Sequence, residues 1–230
     1  MGIIGVVAAL TLPNLNSSTG EKEKVAKVKK IYSNIEDALG RAQAVYGPIS
    51  EWFQNDNNDS AVTKRFAERM IEFMKVSKDC GFNSGCFTSG KYSYLPYTGQ
   101  ISAGTDINAS NNYYKVILSD GTSMAFSNPG YIDTNNNDTL SDFTIEFDID
   151  GPNRGSYILG KDVFTMPIDV RKNSIELDDW FITECVDTGT FCLYWVIMND
   201  NMDYTKIDSN GKCKNNSSIV LDGVSNITCK

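Results

Sequence analysis

Six cysteines carry the most definite chemistry in the sequence: Cys80, Cys86, Cys185, Cys192, Cys213 and Cys229. They fall as three local pairs, separated by six, seven and sixteen positions. No Cys-x-x-Cys occurs, so the spacings of zinc knuckles and thioredoxin-like centres are missing. Closing a short loop costs the least entropy, which favours the nearest partners: Cys80 with Cys86, Cys185 with Cys192, Cys213 with Cys229. Buried free thiols are the alternative. Three disulfides imply an oxidising compartment, outside the cytoplasm.

The sequence contains no histidine. Ser–His and Cys–His nucleophile pairs and histidine-ligated metals are therefore closed to it. Paired carboxylates remain open as the acid and base of glycoside hydrolysis, but no pair stands out, and the expectation is a protein that is not an enzyme. Two stretches suggest hard-cation binding instead. Asp133-Thr-Asn-Asn-Asn-Asp138 spaces its oxygen side chains like the start of a calcium loop, yet the sixth position is Asp138 where Gly is needed and the twelfth is Thr144 where Glu is needed. An EF-hand is excluded, and a solvated polar turn is expected there. Asp148-Ile-Asp150-Gly-Pro-Asn153, followed by Asp162, gathers carboxylates and an amide on a Gly/Pro loop that suits Ca²⁺. Asp148, Asp150, Asn153 and Asp162 are its candidate ligands. The same residues equally suit a tight turn in which Asp and Asn cap their own backbone.

The chain of 230 residues sets 21 Lys+Arg against 29 Asp+Glu, a formal net charge of −8. That balance repels a phosphate backbone, so no nucleic-acid partner is expected. With 41% hydrophobic and 22% charged residues, the composition is that of a folding chain with ample length for a core. Lys22, Lys24, Lys27, Lys29 and Lys30 read as a solvated helix face, or as phosphate contacts beside a membrane. Trp52, Trp180 and Trp195 suit core or half-buried packing, with a sugar-binding face as the alternative.

These groups need elements to position them. From Glu21 the apolar residues Val25, Val28, Tyr32, Ile35, Leu39, Ala42 and Tyr46 step by three and four, with Ile31, Ala38 and Val45 broadening the stripe. This predicts an amphipathic helix ended by Gly47-Pro48, packed on the chain's own sheet or in a coiled coil. Before it, the run from Gly2 to Leu12 is apolar and too short to span a bilayer. Pro13 and the polar residues up to Gly20 predict a weak point between the two helical parts. A second helix is expected from about Ala61 to Ser77, capped by Asp59 or Ser60, with Val62, Phe66, Met70, Phe73 and Met74 on one face. It leads into the Cys80–Cys86 loop, and residues 87–112 read as irregular surface.

Then the period changes to two. Strands are expected on either side of Asp120-Gly121, at Phe143–Asp148 and at Val163–Ile168. Trp180–Cys185 and Cys192–Met198 read as a further hairpin stapled by a 185–192 bridge. Helices first and antiparallel strands afterwards spell an α+β fold.

The segment Gly2-Ile-Ile-Gly-Val-Val-Ala-Ala-Leu-Thr-Leu-Pro-Asn-Leu15 resembles the second half of the N-terminal methylation motif of type IV pilins and type II secretion pseudopilins. In that family a leader ending in Gly is followed by Phe-Thr-Leu-x-Glu and such an apolar run, and the first helix carries a proline where this chain has Pro13. The first half of the motif is expected upstream of Met1. The resemblance implies a pilin-like fold, with a long N-terminal helix on an antiparallel β-sheet head and disulfide-closed loops. Residues 1–20 would be the apolar assembly or membrane segment, through Ile3, Ile4, Val6, Val7, Leu10, Leu12 and Pro13, and residues 21–230 the head. The implied partners are copies of itself, other pilin-like subunits, the inner membrane and an assembly platform. The implied location is the inner membrane before assembly, then a surface filament or a periplasmic pseudopilus. The Asp148–Phe164 stretch is similar to the loop in which major pseudopilins hold calcium. A secreted binding module, calcium-dependent and sugar-binding, and a two-carboxylate hydrolase are the rival expectations.

Overall fold

A computed structural model describes residues 3–53, 59–99, 104–128 and 143–230, with side chains from Gly20 onward except that of Asp59. The first helix, α1, spans Ile3–Tyr46, about 66 Å of helix at the usual rise per residue. Its expected stripe is the buried one: Val25, Val28, Ile31, Ile35, Ala38, Leu39 and Ala42 all lie in the core. Val45 does not; it is 61% exposed, just past the last buried residue of the stripe, Ala42. The weak point expected between Pro13 and Gly20 is not a break, because the chain stays helical through it. Pro13 forfeits one hydrogen bond to the preceding turn, a loss that a long helix tolerates. Gly47 ends the helix in the left-handed region (φ 78°), its N–H returning to the Gln43 carbonyl at 2.9 Å.

Helix α2 covers Asp59–Ile71 and buries Val62, Phe66, Ala67 and Met70. It stops six residues short of the expected end at Ser77. The N–H groups of Phe73 and Met74 bond three residues back, to Met70 and Ile71, a tightening that closes the helix. Val76 onward is then claimed by strand β1, Val76–Gly81. Its ladder with β2, Tyr114–Leu118, satisfies backbone groups that the helical pattern alone could not weigh.

Strands β3 (Ser123–Ser127), β4 (Phe143–Asp148), β5 (Val163–Asp169) and β6 (Ser174–Ile175) complete a six-stranded sheet. Its order is β1-β2-β3-β4-β5-β6, antiparallel throughout. One face is apolar: Tyr114, Val116 and Leu118, then Met124 and Phe126, then Phe143, Ile145 and Phe147, then Phe164, Met166 and Ile168 share a single cluster with α1 and α2. Phe66 stacks on Phe143 with ring centroids 4.2 Å apart.

On the other sheet face a second cluster gathers Cys80, Cys86, Phe87, Tyr92, Ile107, Ala125, Tyr157, Leu159 and Val163, whereas Leu95 and Tyr97 join the helix-side cluster. The stretch 87–112 is irregular as expected, but it is not mere surface: Phe87, Tyr92, Leu95, Tyr97 and Ile107 are buried. Asp133–Asp138 lies outside the described residues.

The chain from Trp180 to Asn199 corrects the expected hairpin. It forms helices α3, Trp180–Thr188, and α4, Cys192–Asn199, turned by 118° at a corner where Gly189 (φ 75°) and Phe191 (φ 51°) are left-handed. A continuous apolar run such as Cys192–Met198 has no period to separate strand from helix, and its aromatic content favoured the wrong one. α4 packs against α1 and β5, so α1 lies between α2 and α4 on the apolar face. A two-stranded ribbon, β7 (Lys212–Cys213) and β8 (Asn216–Val220), closes the chain. All three disulfides follow the expected pairing: Cys80–Cys86, Cys185–Cys192 and Cys213–Cys229. Trp52 and Trp195 are core residues, and Trp180 is half exposed. Among the described residues no single helix is long and apolar enough to cross a membrane.

Candidate functional site

The residues with charge to contribute meet where α1 enters the head. Glu21 stands four residues before Val25, and Lys24 four before Val28, so both continue the head-facing stripe by one further turn. The stripe ends in charge, and the head meets that charge from two elements.

From the β4–β5 connection comes the loop 149–162. The Lys24 ammonium donates to Asp162 Oδ1 and, at 3.5 Å, to Asp150 Oδ2. Asp162 is fully buried, and its second oxygen accepts the Ser156 N–H at 3.0 Å and the Ser156 hydroxyl. Burial alone would raise this carboxyl, yet the bonds from Lys24 and Ser156 hold it below its ordinary value. Lys24 responds in kind: burial would lower its ammonium, and the two aspartates raise it.

From the C-terminal segment comes the second contact. Lys206 bonds Glu21 Oε2 at 2.8 Å and Asp203 Oδ1 at 2.5 Å. Asp203 Oδ2 then accepts the Thr228 hydroxyl and the Cys229 N–H, both at 2.7 Å. Cys229 is bridged to Cys213, so this anchor is tied to the ribbon. Between α1 and this segment lies a mixed-charge pocket of about 420 Å³, lined by Glu21, Lys22, Asp200, Asp203 and Lys206 among others.

The four candidate calcium ligands are brought together only in part. Asp150 and Asp162 share the Lys24 ammonium. Asp148 Oδ1 accepts the Asp150 N–H at 3.0 Å, the turn geometry that was the alternative expectation, while Asp148 Oδ2 is buried without a hydrogen-bond partner. Burial pushes the Asp148 carboxyl up to about 7. Asn153 has a left-handed backbone (φ 60°), and its main-chain N–H donates to Thr88 Oγ1 at 2.8 Å. Among the described residues, no cluster of three or more Asp, Glu, Cys or His has the spacing of a metal site. The sequence reading missed Lys24 as a partner because it grouped this residue with the solvated lysines. The signal was its place one turn ahead of Val28. Lys29 and Lys30 do lie outward, paired with Asp200 at 2.7 Å and Asp120 at 3.3 Å.

Comparison of the chain with family models, with curated proteins and with solved structures gives no match in any of the three.

Proposed function

We propose that this chain is a pilin-like structural subunit of a bacterial type IV pilus or type II secretion filament, acting by assembly and not by catalysis. One observation carries the reading: a single helix has its C-terminal half packed in a disulfide-closed α+β head while its N-terminal half holds the apolar run Ile3–Leu12. Such a run finds no partner in water and is satisfied in lipid or against other copies of itself. In this reading the helix rests in the inner membrane before assembly. Ile3, Ile4, Val6, Val7, Leu10 and Leu12 then form the filament core, and the acidic head faces solvent. Calcium belongs to the proposal only as a competitor of Lys24 for Asp150 and Asp162.

The test is mass spectrometry of the mature N-terminus in a sheared surface fraction of native cells. Recovery of the protein there, with an N-methylated residue ahead of Gly2, is the expected result. A soluble protein whose unmethylated chain starts at or after Met1 would overturn assembly.

A further inference from the structure

We propose that Glu21 and Lys24 form a two-point ionic strap that fixes the direction in which α1 leaves the head and confines its movement to residues before Gly20. The inference deepens the assembly reading, on which it rests for its purpose alone; the strap itself belongs to the head.

The argument starts from what grips each turn of the helix. From Val25 to Ala42 the buried grip is apolar contact, which is non-directional and tolerates small rotations. The ion pairs of Lys29 with Asp200 and Lys30 with Asp120 are solvent-exposed and weak. The turn holding Glu21 and Lys24 is gripped by charge-assisted hydrogen bonds, which fix direction as well as distance. The two contacts come from different parts of the chain, the loop 149–162 and the segment 203–229, so they resist tilting in more than one direction. Each anchor is itself braced. Asp162 is fully buried and held by Ser156, and Asp203 is buried and held by Thr228, Cys229 and the Cys213–Cys229 bridge. Moving Lys24 away would leave the buried Asp162 carboxylate without its cation, which is strongly disfavoured. The partly exposed Glu21–Lys206 pair is the weaker arm, because Asp203 keeps Lys206 when Glu21 leaves. Helix tilt at this turn therefore meets a steep resistance that the apolar turns do not supply.

A helix pulled or bent from its N-terminal end loads this turn first. The strap sets how far the disturbance travels: it stops at Glu21, and the stretch from Pro13 to Gly20 absorbs the bend. Pro13 lacks one backbone donor, and a Cβ placed at Gly20 would meet no atom of the described residues within 4 Å, so that stretch is the softer one.

The test uses the full chain in detergent micelles, with spin labels at Ser17→Cys on α1 and Val224→Cys on the head. The unmodified strap should give one narrow distance distribution. The double substitution Lys24→Met/Asp162→Asn removes both charges without stranding either, and should broaden the distribution. Amide protection over Gly20–Val28 should fall about tenfold while Ile31–Ala42 and β2–β5 keep theirs. Lys24→Arg should restore the narrow distribution, and Glu21→Gln should broaden it in part. Equal widths in all variants, or protection lost evenly over the sheet, would overturn the strap. These readouts need no filament. Absence of the wild-type chain from filaments would remove the assembly reading and leave the strap, and unchanged distances would do the reverse.

Discussion

Lys115 is a fully buried cation whose ammonium is bound by four backbone carbonyls: Phe82 at 3.0 Å, Ile107 at 3.3 Å, Asn108 at 3.2 Å and Ser110 at 2.5 Å. Burial lowers its ammonium, opposed by Asp106. It therefore ties the irregular cover to the sheet through main-chain atoms that no side-chain motif announces. Lys115→Met would leave those carbonyls unsatisfied, and should cost about 3 kcal/mol or more in urea unfolding. Two strands away, Glu146 is buried with Oε2 unpartnered, and burial pushes its carboxyl up to about 7. A folded value above the unfolded one means its contribution is complete at low pH and lost as pH rises through 7. Glu146→Gln should accordingly raise stability at pH 8 by up to about 3 kcal/mol and leave it unchanged at pH 4, read by thermal unfolding at both values. Lys24 gives a third test. With its ammonium between Asp150 and Asp162, the loop has its cation already; Lys24→Met should bind Ca²⁺ with a calorimetric heat well above that of the wild type.

The elements divide into those with a period and those without. α1 and strands β2 to β5 were legible because a stripe at three and four, or an alternation at two, states which face is buried; Val28, Ile35 and Ala42, and Phe143, Ile145 and Phe147, are such cases. α3 and α4 were not, since Phe181–Ile182 and Cys192–Val196 are apolar without interruption and local sequence cannot tell a buried strand from a buried helix. The expected helix α2 runs two residues into β1, over Val76 and Ser77, because the strand's claim rests on pairing with Tyr114–Leu118, some forty residues onward. The candidate site was half legible: the acidic loop is visible as Gly/Pro-rich oxygen chemistry, whereas its partner on α1 required the helix phase to be carried one turn beyond the apolar residues. Loop geometry adds a prediction. Gly151 stands at φ 77°, and a Cβ there would lie 2.1 Å from the Gly121 carbonyl oxygen. Gly151→Ala should push the β2–β3 turn away and cost about 2 kcal/mol or more, seen as a lowered midpoint of chemical unfolding.

Across the whole molecule the titrating groups pull in opposite directions. Asp203 is held low despite its burial, by Lys206, Thr228 and the Cys229 N–H, and Asp162 likewise by Lys24 and Ser156. Their contributions are present above the ordinary carboxylate range and disappear as pH falls through the depressed values. Glu146 and Asp148 act the other way, losing theirs as pH rises toward 7. The stability maximum should therefore lie near pH 5, on the acid side of neutrality; a flat profile from pH 5 to 8 would count against both buried carboxyls.

The sheet order also governs how the chain matures. Each strand pairs with the one made just before it, so the sheet zips up in the order of synthesis, from β1 to β6. α1 is made before the sheet it packs on, and beyond α2 that surface is not complete until β5 ends at Asp169. At ordinary translation speeds that interval is on the order of ten seconds. For that time the nascent chain presents a complete greasy flank to its surroundings, and something other than its own sheet must shelter it.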